Sequence, residues 1–437
     1  MKPTAQRTRI FAAVATAALF TLGRPALAQN AGEHWIATWS TAGVGRPQNP
    51  PLVPPVAGAP AQVPQPAPFL HFDNQTLRQI VRTSVGGSRV RIVLSNVFGT
   101  APVTIGAAHV ALRDKESSIV ATSDRALTFS GRSTMTIPAG AMLVSDPVAL
   151  TIPAAADLAI DLYLPGTTNG PSPVTMHNGA LQTSYVTETG NHVGKPTPPV
   201  VAATQSWFGL ARVEVTAPVA VETVVAFGDS ITDGSRSTAD TNSRWPDVLA
   251  RRLAASNVAL AVANSGIGGN RVISEGAFQA GINALARFDR DALDVPGVRH
   301  VIVLEGINDI GNARQNPTPT AEDLIAAHKQ LIVRAHARGV SMYGGTLTPF
   351  EGAAYFTEVG ETKRQALNEW IRKSGAYDGV IDFDAATRDP AHPARFQVQY
   401  DSGDHLHPND AGYKAMAEAI NLGLLKSAAP VARSSTR

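Results

Sequence analysis

The sequence predicts two folded parts: an all-β sandwich or jelly roll, followed by a three-layer α/β domain with a parallel sheet. The chain has 437 residues, more than the roughly 250–300 at which a single hydrophobic core stops growing. Residues 29–217 show short apolar strands separated by turn signals, whereas residues 218–428 alternate buried strands with helical segments. These observations predict a domain boundary near Pro218.

The N-terminal residues 1–28 have the composition of a signal peptide. Basic residues precede the apolar run Ile10–Leu22, and Ala26-Leu27-Ala28 has the small-x-small form of a cleavage site. We predict cleavage after Ala28. The alternative is a membrane anchor, but this run is shorter than the ~20 residues needed to cross a bilayer, and no later stretch is apolar enough. The sequence therefore predicts an exported protein, periplasmic or secreted, with no integral membrane segment after cleavage.

The charge balance and the lack of cysteine exclude several kinds of protein. Lysine and arginine number 37 against 35 aspartate and glutamate residues, so no basic excess points to nucleic acid as a partner. With no cysteine in the sequence, the protein has no disulfide bond, no thiol nucleophile and no cysteine-ligated zinc or iron–sulfur site.

The first part of the chain carries strand signals throughout. His34–Trp39 alternates in the manner of a strand, and Arg89–Leu94 and Leu158–Leu164 have the two-residue period of half-buried strands. Residues 77–215 show no helical period of useful length. The proline-rich residues 46–68 predict an extended surface loop, because proline lacks a donor and fixes its own backbone.

The second part changes to an alternating pattern. Pro246–Ala255 has an apolar helical face, and Thr320-Ala321-Glu322-Asp323 resembles a capping box that opens another helix. Further helices are predicted at about 361–374 and from about Asn409, and residues 429–437 are predicted to be a disordered tail. The predicted buried strands are Thr223–Phe227, Val258–Ala263, His300–Leu304, Val340–Tyr343 and Val380–Phe383.

Polar groups follow the first three of these strands. Ser230 comes after the first, Asn264–Arg271 after the second and Glu305–Asp309 after the third, while Asp404–Pro408 precedes the last helix. Because ligands of parallel α/β sheets bind at the carboxyl ends of the strands, we expect these groups to meet at one edge.

Each polar group has a chemical use and a structural alternative. A serine hydroxyl needs an imidazole to take its proton, and the imidazole needs a carboxylate to orient it, which Asp404 and His407 would supply. The glycine turn before Asn270 and the Asn308 amide would donate to an oxyanion. Alone, each group is more often structural: a helix cap at Ser230, a surface turn at Asp404 and His407, a tight turn at the glycines or an Asx-turn at Asn308. The presence of all four in one domain favours a catalytic site.

In this order the four groups resemble the blocks of the SGNH (GDSL-type) hydrolases, over about Val224–Leu425. The matching blocks are Gly228-Asp229-Ser230, Asn264–Asn270, Gly306-Ile307-Asn308-Asp309 and Asp404-His405-Leu406-His407-Pro408. The resemblance implies a flavodoxin-like SGNH-hydrolase fold and a serine esterase that needs no cofactor and no metal. The β part is similar to the accessory domain of some exported members.

The resemblance also implies roles for individual residues. Ser230 is expected to be the nucleophile and, through its N–H group, an oxyanion donor. Gly269 and Asn308 are expected to be the other two donors, His407 the base and Asp404 its orienter. Ile231 replaces the leucine of the family name, and Gly269 is preferred to Gly268 because it directly precedes the polar Asn270. Asp229 is interpreted as a turn-shaping residue.

The same polar residues and glycines are open to other functional interpretations. A metal site at His405 and His407 with Asp401, Asp404 or Asp410 is one alternative. Gly266-Ile267-Gly268 begins like a dinucleotide fingerprint, but Arg271 stands at the third glycine position. The elbow motif of α/β-hydrolases is absent around Ser230. The remaining histidines are interpreted as structural or solvated, or match no catalytic pattern: His109, His177, His192, His328 and His336.

The substrate is predicted less directly than the reaction. The resemblance and the low aromatic content of 6% favour short acyl groups, such as acetyl on a carbohydrate. One alternative is a lipase or lysophospholipase acting on lipid esters. The other is a non-catalytic protein that binds polysaccharide through exposed Trp35, Trp39 or Trp207.

Overall fold

The computed structural model describes residues 33–47, 71–311 and 318–426. The predicted signal peptide, the predicted tail 429–437 and nearly all of the predicted proline-rich loop lie outside the described residues. At the start of that loop, Arg46 closes a short strand.

The strands of the described residues alternate with turns in the first part and with helices in the second. In chain order they are β1 His34–Ser40, β2 Val44–Arg46, β3 Asp73–Arg82, β4 Gly87–Ser95, β5 Val103–Ile105, β6 Ala107–Leu112, β7 Arg125–Leu127, β8 Met135–Ile137, β9 Met142–Val144, β10 Val148–Ile152, β11 Asp157–Thr167, β12 Val174–Asn178, β13 Ser184–Thr189, β14 Val200–Thr204, β15 Ser206–Phe208, β16 Leu210–Ala217, β17 Glu222–Gly228, β18 Leu260–Gly266, β19 Val298–Leu304, β20 Ser341–Gly345 and β21 Gly379–Ile381.

The α-helices all lie in the second part. They are α1 Ser230–Asp233, α2 Trp245–Ala255, α3 Ala284–Phe288, α4 Ile307–Gly311, α5 Ala321–Ala337, α6 Glu358–Lys373, α7 Phe383–Thr387 and α8 Asp410–Ala419. Thr320 and Asp323 form the predicted capping box of α5, each side chain accepting from the backbone of the other residue. Among the described helices, none has the length and apolarity needed to cross a membrane.

The first part is built of antiparallel sheets, as predicted. The largest sheet has the order β14-β13-β3-β11-β6-β7, and a second joins β1, β16, β4 and β10 with β9 at its side. Two smaller sheets, β15-β12-β2 and β5-β8, complete it. The inward side chains of these strands form one buried cluster that includes Val81, Ile92, Ile160 and Val213, which is the arrangement expected of period-2 strands.

The second part contains a parallel five-stranded sheet in the order β18-β17-β19-β20-β21. Numbered within this sheet, the order is 2-1-3-4-5, the flavodoxin-like doubly wound arrangement. This confirms the predicted fold class. The switch point of such a sheet lies between its first and third strands, here β17 and β19, and ligands bind beyond their carboxyl ends.

Two predicted strand boundaries are wrong at their polar ends. The second strand runs to Gly266 and not to Ala263, since Asn264 and Ser265 pair in parallel register with Ala226 and Phe227 of β17. The backbone ladder therefore extends the strand beneath polar side chains. At the last strand, Phe383 begins α7 and is not a strand residue.

The two parts pack directly on each other, and the chain from His34 onward forms one compact unit. The N–H of Ala37 in β1 donates to the Pro296 carbonyl at 3.0 Å. The Val262 N–H of β18 donates to the Ser84 hydroxyl, also at 3.0 Å. Ala37 belongs to the core of the α/β part, while Ala261 belongs to the core of the β part. The two cores therefore meet at β1 and β18.

Candidate active site

The turn that carries Ser230 is fixed by its neighbours in the chain. Strand β17 ends at Gly228, where a Cβ would lie 2.2 Å from the Thr232 hydroxyl oxygen, so only glycine fits. The Asp229 side chain caps α1 by accepting from the Ile231 N–H at 2.9 Å. Ser230 is thereby held at the first position of α1, just past the carboxyl end of the strand.

Ser230 is hydrogen-bonded to His407, although 177 residues separate them. The Ser230 Oγ lies 2.8 Å from His407 Nε2, and His407 Nδ1 lies 2.8 Å from Asp404 Oδ2. The other oxygen of Asp404 accepts from the backbone N–H groups of Leu406 and His407 at 3.1 and 2.9 Å. The loop thus curls around the carboxylate, and the three residues form a continuous chain.

The protonation of this chain follows from its partners. Partial burial would raise the pKa of Asp404, but the hydrogen bonds and charge of His407 and the Leu406 N–H lower it well below its usual value. Asp404 is therefore a carboxylate that only accepts, so His407 Nδ1 donates to it. With its hydrogen on Nδ1, the imidazole ring can present the Nε2 lone pair to the Ser230 hydroxyl, which is the arrangement that general-base activation of serine requires.

The residues predicted to be oxyanion donors, Gly269 and Asn308, lie on the other two polar turns. Gly269 has φ +77°, a left-handed conformation that favours glycine. The side-chain Nδ2 of Asn270, the next residue, donates to the carbonyls of Ala280 and Ile282 at 2.7 and 2.8 Å. Asn308 Nδ2 donates to the Asn270 carbonyl at 3.0 Å, which joins the two turns. An amide nitrogen has two hydrogens, so Asn308 keeps one for a further acceptor.

Arg287 of α3 ties the strand ends together beneath these groups. Its side chain is fully buried and donates to the carbonyls of Gly228 and Ser265, each at 2.8 Å. It also donates to Asn270 Oδ1 at 2.8 Å and to Glu305 Oε1 at 3.2 Å. One guanidinium therefore contacts the ends of β17 and β18 and the turns that follow β18 and β19.

Three buried carboxyl groups lie in the segments that follow β17 and β19. Burial raises the pKa of Asp229 to about 7 despite its hydrogen bond from Ile231. Burial and the charge of Asp229 raise the pKa of Glu305 well above its usual value. Burial also raises the pKa of Asp309, although its carboxylate accepts from the N–H groups of Val272 and Ile273. Burial in the floor of the site therefore raises the pKa of all three acids.

Several residues of the site were not assigned a role from the sequence. Arg236 Nε donates to Asp404 Oδ2 at 3.0 Å, and the Tyr355 hydroxyl donates to Asn308 Oδ1 at 3.4 Å. Glu305 lies within a polar block that the sequence revealed, but Arg287, Arg236 and Tyr355 carry no local signal. Their positions depend on contacts across the fold.

The alternative sites do not have the geometry they need. His405 pairs with Asp401 at 2.5 Å, apart from the pair formed by His407 and Asp404. Within the described ranges, no three histidine or acidic residues are grouped to hold a metal ion. Arg271, at the third fingerprint position, donates to the Asn308 carbonyl at 3.3 Å and so packs the turn against the protein.

The prediction that Trp35, Trp39 and Trp207 are exposed binding residues is wrong. Trp39 and Trp207 are 7% and 3% exposed and pack edge to face, with ring centroids 4.9 Å apart. Trp35 lies beneath the Arg91 guanidinium at 4.3 Å. Trp39 and Trp207 belong to the core of the β part and offer no exposed platform to a polymer.

A flavodoxin-like sheet with a serine, histidine and aspartate chain at its switch point defines a serine hydrolase of the parallel α/β class. Residues 226–415 match the GDSL-like lipase/acylhydrolase family, so this part of the chain belongs to that family and is an esterase or acylhydrolase domain. None of the curated proteins compared with the sequence matches it.

Solved structures with similarity to the chain cover just under half of it. A GDSL-like lipase from Bacteroides thetaiotaomicron VPI-5482 is 18% identical, with 47% of this chain and 88% of that one covered and a TM-score of 0.35. An aryl esterase from M. smegmatis is 17% identical, with 46% and 96% covered and a TM-score of 0.37. An acetyl xylan esterase is 17% identical, with 45% and 96% covered and a TM-score of 0.34.

We predict that Asp229→Asn changes the pH dependence of stability. The folded-state pKa of Asp229 is about 7, above the value of about 3.9 for an unfolded chain, so the folded protein binds this proton more tightly. Its contribution to stability is fully present below about pH 4 and is lost as pH rises through about 7. In urea unfolding, the free energy of unfolding of the wild type should fall relative to that of Asp229→Asn as pH rises.

Asp323→Asn is the matched control. Asp323 is exposed at the cap of α5, and its hydrogen bonds with Thr320 lower its pKa, so its contribution is lost on acidification instead. A difference between wild type and Asp229→Asn that stays constant with pH would contradict the prediction.

Proposed function

We propose that the chain is a serine esterase in which Ser230 is the nucleophile, His407 the general base and Asp404 its orienter. The observation that carries the proposal is the hydrogen-bonded chain from Ser230 Oγ through His407 to Asp404, with both links at 2.8 Å. The match of residues 226–415 to an acylhydrolase family gives the same reaction class from independent information.

In the acylation step, Ser230 Oγ bonds to the carbonyl carbon of the ester while its proton passes to His407 Nε2. The carbonyl electron pair moves to oxygen and forms a tetrahedral oxyanion. When this intermediate collapses, the bond to the alcohol oxygen breaks, and the imidazolium returns the proton to the departing alcohol. Asp404 stabilises the imidazolium meanwhile without taking its proton. The product of this step is an ester of Ser230.

In the second step, water replaces the alcohol. His407 removes a proton from water, which bonds to the acyl carbon, and the proton then returns to Ser230 Oγ as the carboxylic acid leaves. Both oxyanions are held by the backbone N–H groups of Ser230 and Gly269 and by Asn308 Nδ2. Among the described residues, neither of these two N–H groups donates to a protein acceptor, which leaves both for substrate.

The acyl group in this proposal is short, such as acetyl carried on a carbohydrate. Two observations support a small acyl site. The sequence has only 6% aromatic residues, and the Tyr355 ring fills space beside the oxyanion donor. That ring packs so closely on α4 that a Cβ at Gly311 would lie 2.1 Å from it. A long acyl chain that leaves the site past Asn308 would meet this ring.

The second candidate function is hydrolysis of lipid esters, as by a lipase or lysophospholipase. The matched family is described by both activities, so the chain-length dependence of turnover decides between the candidates. A non-catalytic polysaccharide-binding protein has no supporting observation, because its proposed aromatic contacts are buried or covered.

We also propose that the protein is exported to the periplasm or the medium and works there on an ester substrate. The support is the N-terminal sequence, in which basic residues, an apolar run and Ala26-Leu27-Ala28 follow one another. A polymeric substrate outside the cytoplasm would be consistent with this location.

The first prediction concerns the nucleophile. Ser230→Ala should abolish hydrolysis of p-nitrophenyl acetate, because no other group is placed to receive the acyl chain from His407-assisted attack. Ser235→Ala, five positions along the same segment, should keep wild-type turnover. Circular dichroism checks that both variants are folded, and undiminished activity in folded Ser230→Ala would disprove the assignment.

The second prediction concerns the oxyanion. Asn308→Ala should lower kcat for p-nitrophenyl acetate by on the order of a hundredfold or more with a small change in KM, because this donor acts in the transition state. Asn421→Ala is the control, since the Asn421 side chain accepts from the Gly423 N–H and caps the turn Leu422–Leu425 near the end of the described chain. A change in KM alone would remove Asn308 from the oxyanion site.

The third prediction concerns acyl length. Turnover of p-nitrophenyl esters should fall from acetate to octanoate, and acetylated xylan should release acetate. Tyr355→Ala should raise the relative rate on octanoate by removing the ring, whereas Tyr355→Phe should leave the preference unchanged. A wild-type preference for octanoate or longer esters would favour the lipid-ester function instead.

A further inference from the structure

A histidine of the β part contacts the short helix that carries the nucleophile. His177 lies on β12 and is 3% exposed. Its Nε2 lies 3.0 Å from Asp233 Oδ1, and its Nδ1 lies 2.8 Å from the Ala42 carbonyl oxygen. Asp233 is the last residue of α1, which begins at Ser230. One buried side chain thus connects the β part to the nucleophile turn.

The contacts of His177 define its charge. A carbonyl oxygen and a carboxylate can only accept, so both ring nitrogens must carry hydrogens for both bonds to form. The ring is then an imidazolium paired with the Asp233 carboxylate. Burial by itself would lower the pKa of His177, but the charge and hydrogen bond of Asp233 and the Ala42 carbonyl together raise it. Arg244, also near the ring, acts against the charged form.

Asp233 is one helical turn from Ser230 and has little freedom to move. The N–H groups of Gly234 and Ser235 both donate to the Ser230 carbonyl at 2.9 Å, which closes the turn. On the opposite side, a Cβ at Gly266 would lie 2.2 Å from the Asp233 nitrogen. Helix α1 is therefore held between strand β18 and His177.

The segment after α1 is docked on the β part as well. Asp240 Oδ1 accepts from the Thr183 N–H at 2.6 Å and from Gln182 Nε2 at 2.9 Å, and the Asp240 N–H donates to the Leu181 carbonyl. These bonds fix the exposed loop, whereas the His177 bond reaches Asp233, a residue of α1 itself.

We propose that His177 is a positioning residue of the esterase, which sets the location of Ser230 through its ion pair with Asp233. This inference rests on the proposed function of Ser230. It assigns the β part a share in forming the active site, in addition to any binding of substrate. Loss of the pair leaves Asp233 buried without its partner and frees the end of α1 to shift away from β18.

The test compares His177→Ala with His109→Ala. His109 forms a histidine–aspartate pair within the β part, with Nδ1 at 2.8 Å from Asp124 Oδ2. Removing it costs the β part a pair that is less buried than that of His177 and controls for loss of a histidine–aspartate pair that does not involve α1. His177→Gln is the second variant, because its amide can still donate one hydrogen bond to Asp233 and it is more easily accommodated in the fold.

Two measurements are made on each full-length variant. In p-nitrophenyl acetate hydrolysis, kcat of His177→Ala should fall by about 10- to 100-fold, the loss expected of a misplacement near 1 Å. KM should change little, His177→Gln should lose less, and His109→Ala should keep wild-type kcat. Hydrogen–deuterium exchange over residues 230–237 should be faster in His177→Ala than in wild type or His109→Ala.

The outcomes separate the inference from the function beneath it. Equal loss of kcat in His177→Ala and His109→Ala, or unchanged exchange over 230–237 in a folded His177 variant, would overturn the positioning role. Absence of turnover in the wild type would overturn the proposed function, while the exchange comparison would still decide whether His177 fixes α1.

Discussion

The buried guanidinium of Arg287 is the interaction on which the arrangement of the site depends. Two carbonyl groups at the carboxyl edge of the parallel sheet, those of Gly228 and Ser265, accept from this one side chain. The same group reaches Asn270 beside the glycine turn and Glu305 after β19. The turns that carry Ser230, Gly269 and Asn308 are therefore all connected by hydrogen bonds to the planar guanidinium of Arg287. Arginine suits this position because its five donors have fixed directions.

Burying this guanidinium among carboxyl groups costs electrostatic free energy. Arg287 stands among Asp229, Glu305 and Asp291 with almost no access to solvent, and burial of unpaired charge is unfavourable. The raised pKa values of Asp229 and Glu305 reduce the number of charges that must be buried. The nucleophile turn thus rests on a hydrogen-bonded polar floor instead of an apolar one. Such a floor has few alternative packings, which is what a site with three separate oxyanion donors requires.

The sequence revealed the parts of the site whose signals are local. Gly228-Asp229-Ser230 follows an apolar strand, and Asp404 and His407 are three residues apart. Pattern and spacing alone therefore indicated these residues as parts of a site. The fold class and most strand positions also followed from periodicity. Arg287, by contrast, contacts residues 17 to 59 positions away, and an arginine in a short helix looks like any surface arginine. The contact of His177 carries no local signal for the same reason, since Asp233 lies 56 residues from it. The tryptophans were misjudged because burial depends on which strands pack together.

The distance along the chain between the reacting groups has a consequence for how activity arises. Ser230 and His407 are 177 residues apart, and four of the five strands of the parallel sheet fall at or after the nucleophile turn. In the proposed mechanism, catalysis therefore begins only after the most non-local contacts of the α/β part have formed, and such contacts are slow to close. A chain that has collapsed but not yet seated its last loop has a serine with no base. Ester turnover is thus a built-in reporter of complete folding, one that no spectroscopic probe of secondary structure could replace.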